Sequence, residues 1–262
     1  MIARRRSAGP IVAWAFALLV VAYLFLPAAV VVLFSFTTSP RLSLPIEGLT
    51  LDWYAQALAE PLFAKALTNS LLLAAVTATV AIAIGVPFCF AIARLRARPR
   101  SVLLTASLAP AAVPALVLGV ALALAFHALA LPPGLPNAAL GHLIVALPFV
   151  VLTLNARLET FDFSVLEAAR DLGASPLRTF RDITLPLIRP SVIGAALLAM
   201  ALSLDEFVVT WFNIGNDTSL PVVVWGLMRR GVSPSINALA TLILVALVIL
   251  VALGNLLGRR RA

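Results

Sequence analysis

Residues 67–93, LTNSLLLAAVTATVAIAIGVPFCFAIA, contain no Asp, Glu, Lys or Arg, and RLRARPR, residues 94–100, follows at once. A helix that crosses about 30 Å of hydrocarbon needs about 20 apolar residues, each rising about 1.5 Å. This stretch is long enough, and the basic cluster behind it marks a membrane surface. Five more stretches qualify: 11–34, 102–130, 137–158, 191–213 and 236–257. Gly141 and His142 interrupt the fourth of the six, 137–158. The pattern predicts an all-α, polytopic membrane protein with six transmembrane helices.

Composition agrees. Of 262 residues, 62% are hydrophobic and 11% charged, against about 25% charged in soluble domains. Mean hydropathy is +1.08. A soluble globular domain and a disordered chain are both excluded. The net charge of +8 sits at the ends of apolar runs. It therefore argues for a lipid bilayer and against a nucleic acid as partner.

The basic residues also orient the chain. Arg4 to Arg6, Arg94, Arg96, Arg98, Arg100, Arg157, Arg170, Arg178, Arg181, Arg189 and Arg259 to Arg261 fall on one side, fifteen in all. Arg41, Lys65, Arg229 and Arg230 fall on the other. The positive-inside rule places both termini in the cytoplasm. Residues 1–10 and 258–262 are then cytoplasmic tails flanking a transmembrane domain over 11–257. The first span, at 24 residues, exceeds the roughly 7–15 of a signal-peptide core, so it is read as uncleaved. The arginines at 94–100 are a topology signal with some attraction for anionic lipid.

The inventory narrows the chemistry. Cys89 is the lone cysteine, and His127 and His142 are the only histidines; no metal centre follows from them. The single lysine, Lys65, is preceded by Ala64, so no Gly-Lys-Ser/Thr phosphate loop exists. Nucleotide chemistry, if it drives this protein, lies on another subunit. The connectors 35–66 and 159–190 are too short for a catalytic domain. Residues 53–67 are expected along the outer surface, and 220–228 are apolar but too short to span. Pro27, Pro87, Pro110, Pro114 and Pro148 fall inside spans, where kinked helices need neighbours.

The inner connector 164–190 carries the most local information. Ser164 and Glu167 form a capping-box pattern. Val165, Ala168, Ala169 and Leu172 repeat at helical spacing, predicting a short helix with that stripe as its apolar face. Gly173 fits a left-handed stop. Ser175 and Pro176 fit a second start, with Leu177, Phe180 and Ile183 as its apolar stripe. Pro186 and Pro190 are expected to end this second helix. The result is a helix–turn–helix elbow on the cytoplasmic face.

Glu167-Ala168-Ala169, three residues, Gly173, nine residues, then Ile183-Thr184-Leu185-Pro186 resembles the EAA signature of ABC importer permeases. The resemblance implies the type I importer permease fold over about 67–257, and an elbow that docks on an ATPase subunit. Glu167, Ala168, Ala169, Gly173, Ile183, Leu185 and Pro186 would be the coupling residues. It also implies an ABC ATPase dimer carrying ATP and magnesium, a second permease subunit and a periplasmic solute-binding protein. The setting would be a bacterial cytoplasmic membrane. The chain itself would bind no cofactor and perform no bond chemistry. Ser203-Leu204-Asp205-Glu206-Phe207, Leu220-Pro221, Gly231 to Pro234 and Ile236 to Thr241 are similar to a permease of spermidine/putrescine importers. That likeness implies a polyamine solute and two different permeases.

Asp205 and Glu206 are the charged pair expected inside a span, the fifth. A carboxylate there costs roughly 3 kcal/mol and usually faces a cavity or a partner. With Phe207, Trp211 and Phe212 they suit an alkylammonium solute; a structural pairing suits them equally. His127 and His142 are expected near the outer interface, Cys89 as a small buried residue, and Trp53 and Tyr54 as interfacial anchors. Two other classes compete: an ion-coupled carrier using Asp205 and Glu206, and a membrane enzyme. The complete EAA spacing opposes the first. The second lacks any Ser/His/Asp grouping.

Overall fold

Lipid offers the backbone no hydrogen-bond partners, so an apolar run must satisfy its amides internally, as a helix. The computed structural model describes residues 9–40, 43–59, 61–229 and 233–259. Most of the two expected tails, together with Arg41, Arg230 and Gly231, lie outside the described residues. The helices are α1 (Gly9–Phe34), α2 (Asp52–Ala59), α3 (Pro61–Ala93), α4 (Ala97–Leu108), α5 (Ala115–Ala128) and α6 (Leu135–Glu159). There follow α7 (Ser164–Asp171), α8 (Pro176–Thr179), α9 (Leu185–Asp205), α10 (Val208–Asn213), α11 (Leu220–Met228) and α12 (Pro234–Arg259). Among the described residues there is no strand, only an isolated antiparallel bridge between Thr37 and Leu49.

Four stretches are long and apolar enough to cross a membrane: Val12–Phe34, Pro61–Ala93, Leu135–Glu159 and Pro176–Asp205. The expected third span is two helices. Ala97–Ala112 and Ala115–Ala128 meet at 98°. Val113, forced out of the helical region by the proline after it, is extended (φ −84°, ψ 128°), and so is Pro114 (ψ 134°). Pro27, Pro87 and Pro148 sit inside unbroken helices. The expected fifth span also stops early, at Asp205, because Glu206 is extended (φ −72°, ψ 101°). The sixth expected span falls within α12, 26 residues long. Within residues 53–67, α2 ends at Ala59 and α3 begins at Pro61.

Two compact units are separable. In the larger, residues 61–226 with 246–262, α3, α6 and α9 pack against one another as the core. Ala78, Ala81, Ala146, Val150, Leu154, Ile188, Ala195 and Ala199 are buried there. Small residues let these helices approach closely: a Cβ on Gly85 would lie 2.8 Å from Val150 Cγ1. Cys89 is buried, as expected, and its Sγ donates to the Val151 carbonyl at 3.6 Å.

Beyond the core, α10 lies on α5 and α6. Asn213 donates to Gly119 O (3.1 Å) and Val209 O (2.8 Å). The N-terminal end of α3 holds the loop after α10 through Lys65–Asp217 (3.0 Å), Asn69 donating to Thr218 O (2.8 Å), and Leu220 N donating to Ser70 Oγ (2.9 Å). Gly215 is required there. Its φ is +65°, and a Cβ would lie 2.8 Å from Pro133 O.

In the smaller unit, residues up to 60 with 227–245, α1 is apolar on every face, as a helix surrounded by lipid or other spans must be. After it the chain folds back on itself. Trp53 Nε1 donates to Thr37 O at 2.7 Å, and Tyr54 shares a hydrogen bond with Ser35 Oγ and meets Phe36 at a tilt, with ring centroids 5.3 Å apart.

Candidate coupling elbow and solute path

The elbow begins where α6 ends. Asp162 Oδ1 accepts from Ser164 N at 3.0 Å, and the Ser164 hydroxyl and amide hold the Asp162 carboxyl below its ordinary range. This replaces the expected capping box. The Ser164 amide is taken by the nearer carboxylate, and Glu167 is exposed with no partner among the described residues. Helix α7 closes as expected at Gly173 (φ +83°). Ala174 N bonds Ala169 O (3.0 Å) and Gly173 N bonds Arg170 O (2.8 Å), satisfying the last carbonyls. Ser175 Oγ accepts from Arg178 N (3.4 Å), and Pro176 follows as the first helical residue.

Two expectations fail here. The buried face of α7 is Leu166 and Ala169, whereas Val165, Ala168 and Leu172 point outward. Leu172 is 89% exposed and Leu177 76%. Leu166 faces inward because it belongs to the cluster that holds Phe161 and Ile188. Nor do Pro186 and Pro190 end the second helix. A wide π turn, Phe180–Thr184, carries α8 straight into α9, with Leu185 N reaching back to Phe180 O. Pro186 cannot donate to the preceding turn, and the wider turn immediately before it absorbs that loss.

The elbow is fastened to the core by aromatic edges. Phe90 of α3 meets Phe161 (6.2 Å between centroids), Phe163 (6.5 Å) and Phe180 (6.5 Å), all near perpendicular. Such contacts contribute about 0.5–1.5 kcal/mol each beyond burial. Arg157 donates to Leu187 O (3.2 Å), tying α6 to the base of α9. Of the expected coupling residues, Glu167, Ala168 and Gly173 form an exposed edge, as do Leu185 and Pro186 further on; Ala169 is buried and Ile183 half-buried.

The second expected site lies at the break between α9 and α10. Asp205 is the last residue of α9, exposed and without a partner among the described residues. Glu206 Oε1 accepts from Val209 N at 2.9 Å and so starts α10. The two carboxylates therefore do not share a continuous helix. Phe207 is near Trp211 (5.7 Å) and Trp225 (5.1 Å). Phe212 lies instead over Gly119. Trp225 was not legible in the sequence, since it reaches the break from α11.

His142 joins two helices. It is buried, with Nδ1 2.6 Å from Ser203 Oγ and Nε2 2.7 Å from Thr210 Oγ1. One ring thus bridges α9 and α10 across the break. Either tautomer suits, since each hydroxyl both donates and accepts. His142→Ala would orphan two buried hydroxyls and leave a cavity, at a cost of about 2–5 kcal/mol. A clear fall in the unfolding midpoint in detergent is expected, smaller for His142→Gln; an unchanged midpoint would refute the bridge. Among the described residues, no group of His, Cys, Asp or Glu is placed to hold a metal ion.

Residues 83–261 match the family described as binding-protein-dependent transport system inner membrane component. The chain is 34% identical over 239 residues to the spermidine/putrescine transport system permease protein PotC of Escherichia coli K12, covering 91% of this chain and 90% of that one. It is 37% identical over 243 residues to the putrescine transport system permease protein PotI of the same organism, covering 89% and 86%. Its fold is similar to a chain of a bacterial ABC transporter that imports alginate, with a TM-score of 0.71 at 13% identity over 97% of this chain and 96% of that one. The chain belongs to the binding-protein-dependent transport permease family. It is a permease subunit of an ABC importer and not an enzyme.

Proposed function

We propose that this chain is the permease subunit of a polyamine importer, coupling ATP hydrolysis on a partner ATPase to uptake of spermidine or putrescine. It spans a bacterial cytoplasmic membrane six times with both ends inside. A second, different permease completes the path, an ATPase dimer carries ATP and magnesium, and a periplasmic binding protein delivers the solute. Glu167, Ala168, Ala169 and Gly173, with Ile183, Leu185 and Pro186 behind them, form or shape the ATPase contact. Asp205, Glu206, Phe207 and Trp211 meet the solute, joined by Trp225.

The observation that carries this reading is the break at Glu206. It sets an unpaired carboxylate and a capping carboxylate beside a cluster of aromatic rings, in a chain whose relatives are polyamine permeases. A polyamine is a string of ammonium groups on a methylene chain. Carboxylates answer its charges, and ring faces answer both charge and methylenes.

The test is uptake of labelled putrescine and spermidine by cells carrying the complete transporter, with and without this chain. Uptake is expected to require the chain, to fail on ATP depletion, and to survive collapse of the proton gradient. Uptake that follows the gradient and ignores ATP would favour the ion-coupled carrier. Polyamine-independent transport of another solute would overturn the substrate assignment alone.

A further inference from the structure

A cleft of about 700 Å³ lies between the last three turns of α3, the elbow and the base of α9. Its wall is mainly apolar, with Ile82, Val86 and Phe90 from α3 and Leu185 and Val192 from the other side, though Thr179 and Thr184 also line it. At its mouth stand Arg94 and Arg170, both exposed, with no ion pair among the described residues. Among the described residues, no carboxylate lines it. From Ile82 to Arg94 the α3 helix rises about 18 Å, close to the roughly 15 Å of hydrocarbon in one leaflet. A mainly apolar trough about as long as one leaflet is thick, with two guanidiniums in its lining that form no ion pair among the described residues, is complementary to an anionic lipid.

We propose that this cleft binds an anionic phospholipid of the inner leaflet, an acyl chain lying along Ile82, Val86 and Phe90 and the phosphate held by Arg94 and Arg170. The leaflet rests on the orientation proposed above; the binding chemistry does not. A guanidinium pair suits a phosphodiester because its planar donors match the phosphate oxygens. Because Arg94 belongs to α3 and Arg170 to α7, one headgroup would bridge the core and the elbow.

The test is native mass spectrometry of the complete transporter, delipidated in mild detergent and then offered phosphatidylglycerol or phosphatidylcholine. The parent is expected to retain phosphatidylglycerol preferentially. Arg94→Gln with Arg170→Gln should weaken that retention about thirtyfold, the product of two basic contacts at an anionic surface. Arg96→Gln with Arg98→Gln should leave it unchanged, and Ala83→Trp, at an exposed lining position of α3 that keeps both arginines, should abolish it. Equal retention of the two lipids, or parental retention by the double-Gln variant, overturns the proposal. So does displacement of the lipid by excess inorganic phosphate, which would mean an anion site without acyl recognition. The measurement is made in detergent, so a wrong orientation leaves its result intact. Labelling of an Arg96→Cys variant by an impermeant thiol reagent tests the orientation separately.

Discussion

Replacing Leu172 and Leu177 together by glutamate is expected to strip the ATPase from the transporter and abolish import, while the chain still inserts and pairs with its second permease. Both leucines stand almost free, 89% and 76% exposed, so the fold does not depend on them. Burying a leucine side chain contributes about 1.5–3 kcal/mol. Two such contacts are worth about 3–6 kcal/mol, or roughly 10²–10⁴ in affinity, before the added cost of burying two charges. Leu166→Glu is the contrasting variant. Leu166 is buried in the core cluster, so its loss should unfold the elbow and lower yield as well as coupling. Co-purification from gentle detergent, with uptake measured in parallel, separates the two. Parental ATPase retention by the Leu172, Leu177 double variant would remove this face from the docking reading.

How much of this was legible in the sequence depended on the range of the interaction. The apolar runs were legible because a run of that length has no other folded solution in lipid. The stop at Gly173 and the start at Ser175-Pro176 were legible because turn chemistry is local. The buried face of α7 was not. A short amphipathic pattern shows that one side is apolar but not what covers it. Here the chain's own core takes Leu166 and Ala169, leaving Val165, Ala168 and Leu172 outside.

Prolines act in this chain both more weakly and more strongly than their local sequence suggests. Pro186 and Pro190 look like stops but sit in a helix that the π turn keeps continuous. Pro110 and Pro114 look like kinks but end one helix and begin another. A single proline removes one bond, whereas two, four residues apart, leave no full turn between them to hold the helix axis. His142 was beyond reach altogether, since Ser203 and Thr210 lie 61 and 68 residues away. No local pattern announces such a bridge.

The second large effect is expected at Asp205. An uncompensated carboxylate within a spanning segment costs about 2.5–3.5 kcal/mol, and Asp205 has no partner among the described residues to offset it. Its neighbour differs. Glu206 already spends one oxygen on the Val209 amide, a cap worth about 0.5–2 kcal/mol. The two carboxylates should therefore separate by mutation. Asp205→Asn removes charge with no structural penalty and is expected to cut polyamine uptake about 5- to 10³-fold. That is the span between a roughly 1 kcal/mol attraction in water and about 4 kcal/mol in a partly shielded path. Glu206→Gln keeps an oxygen for Val209 and should cost less. Glu206→Ala loses the cap, so it should lower the unfolding midpoint as well as the rate. Trp225→Ala should weaken uptake by a cation–π contact, about 0.5–2 kcal/mol, and without raising the basal ATPase rate. Raised salt should blunt the difference between parent and Asp205→Asn, because a charge reached through water is screened. If an assembled Asp205→Asn transporter carries spermidine and putrescine at the parental rate, this carboxylate does not meet the solute. The aromatic cluster at the break would then be packing between α9, α10 and α11 rather than a path.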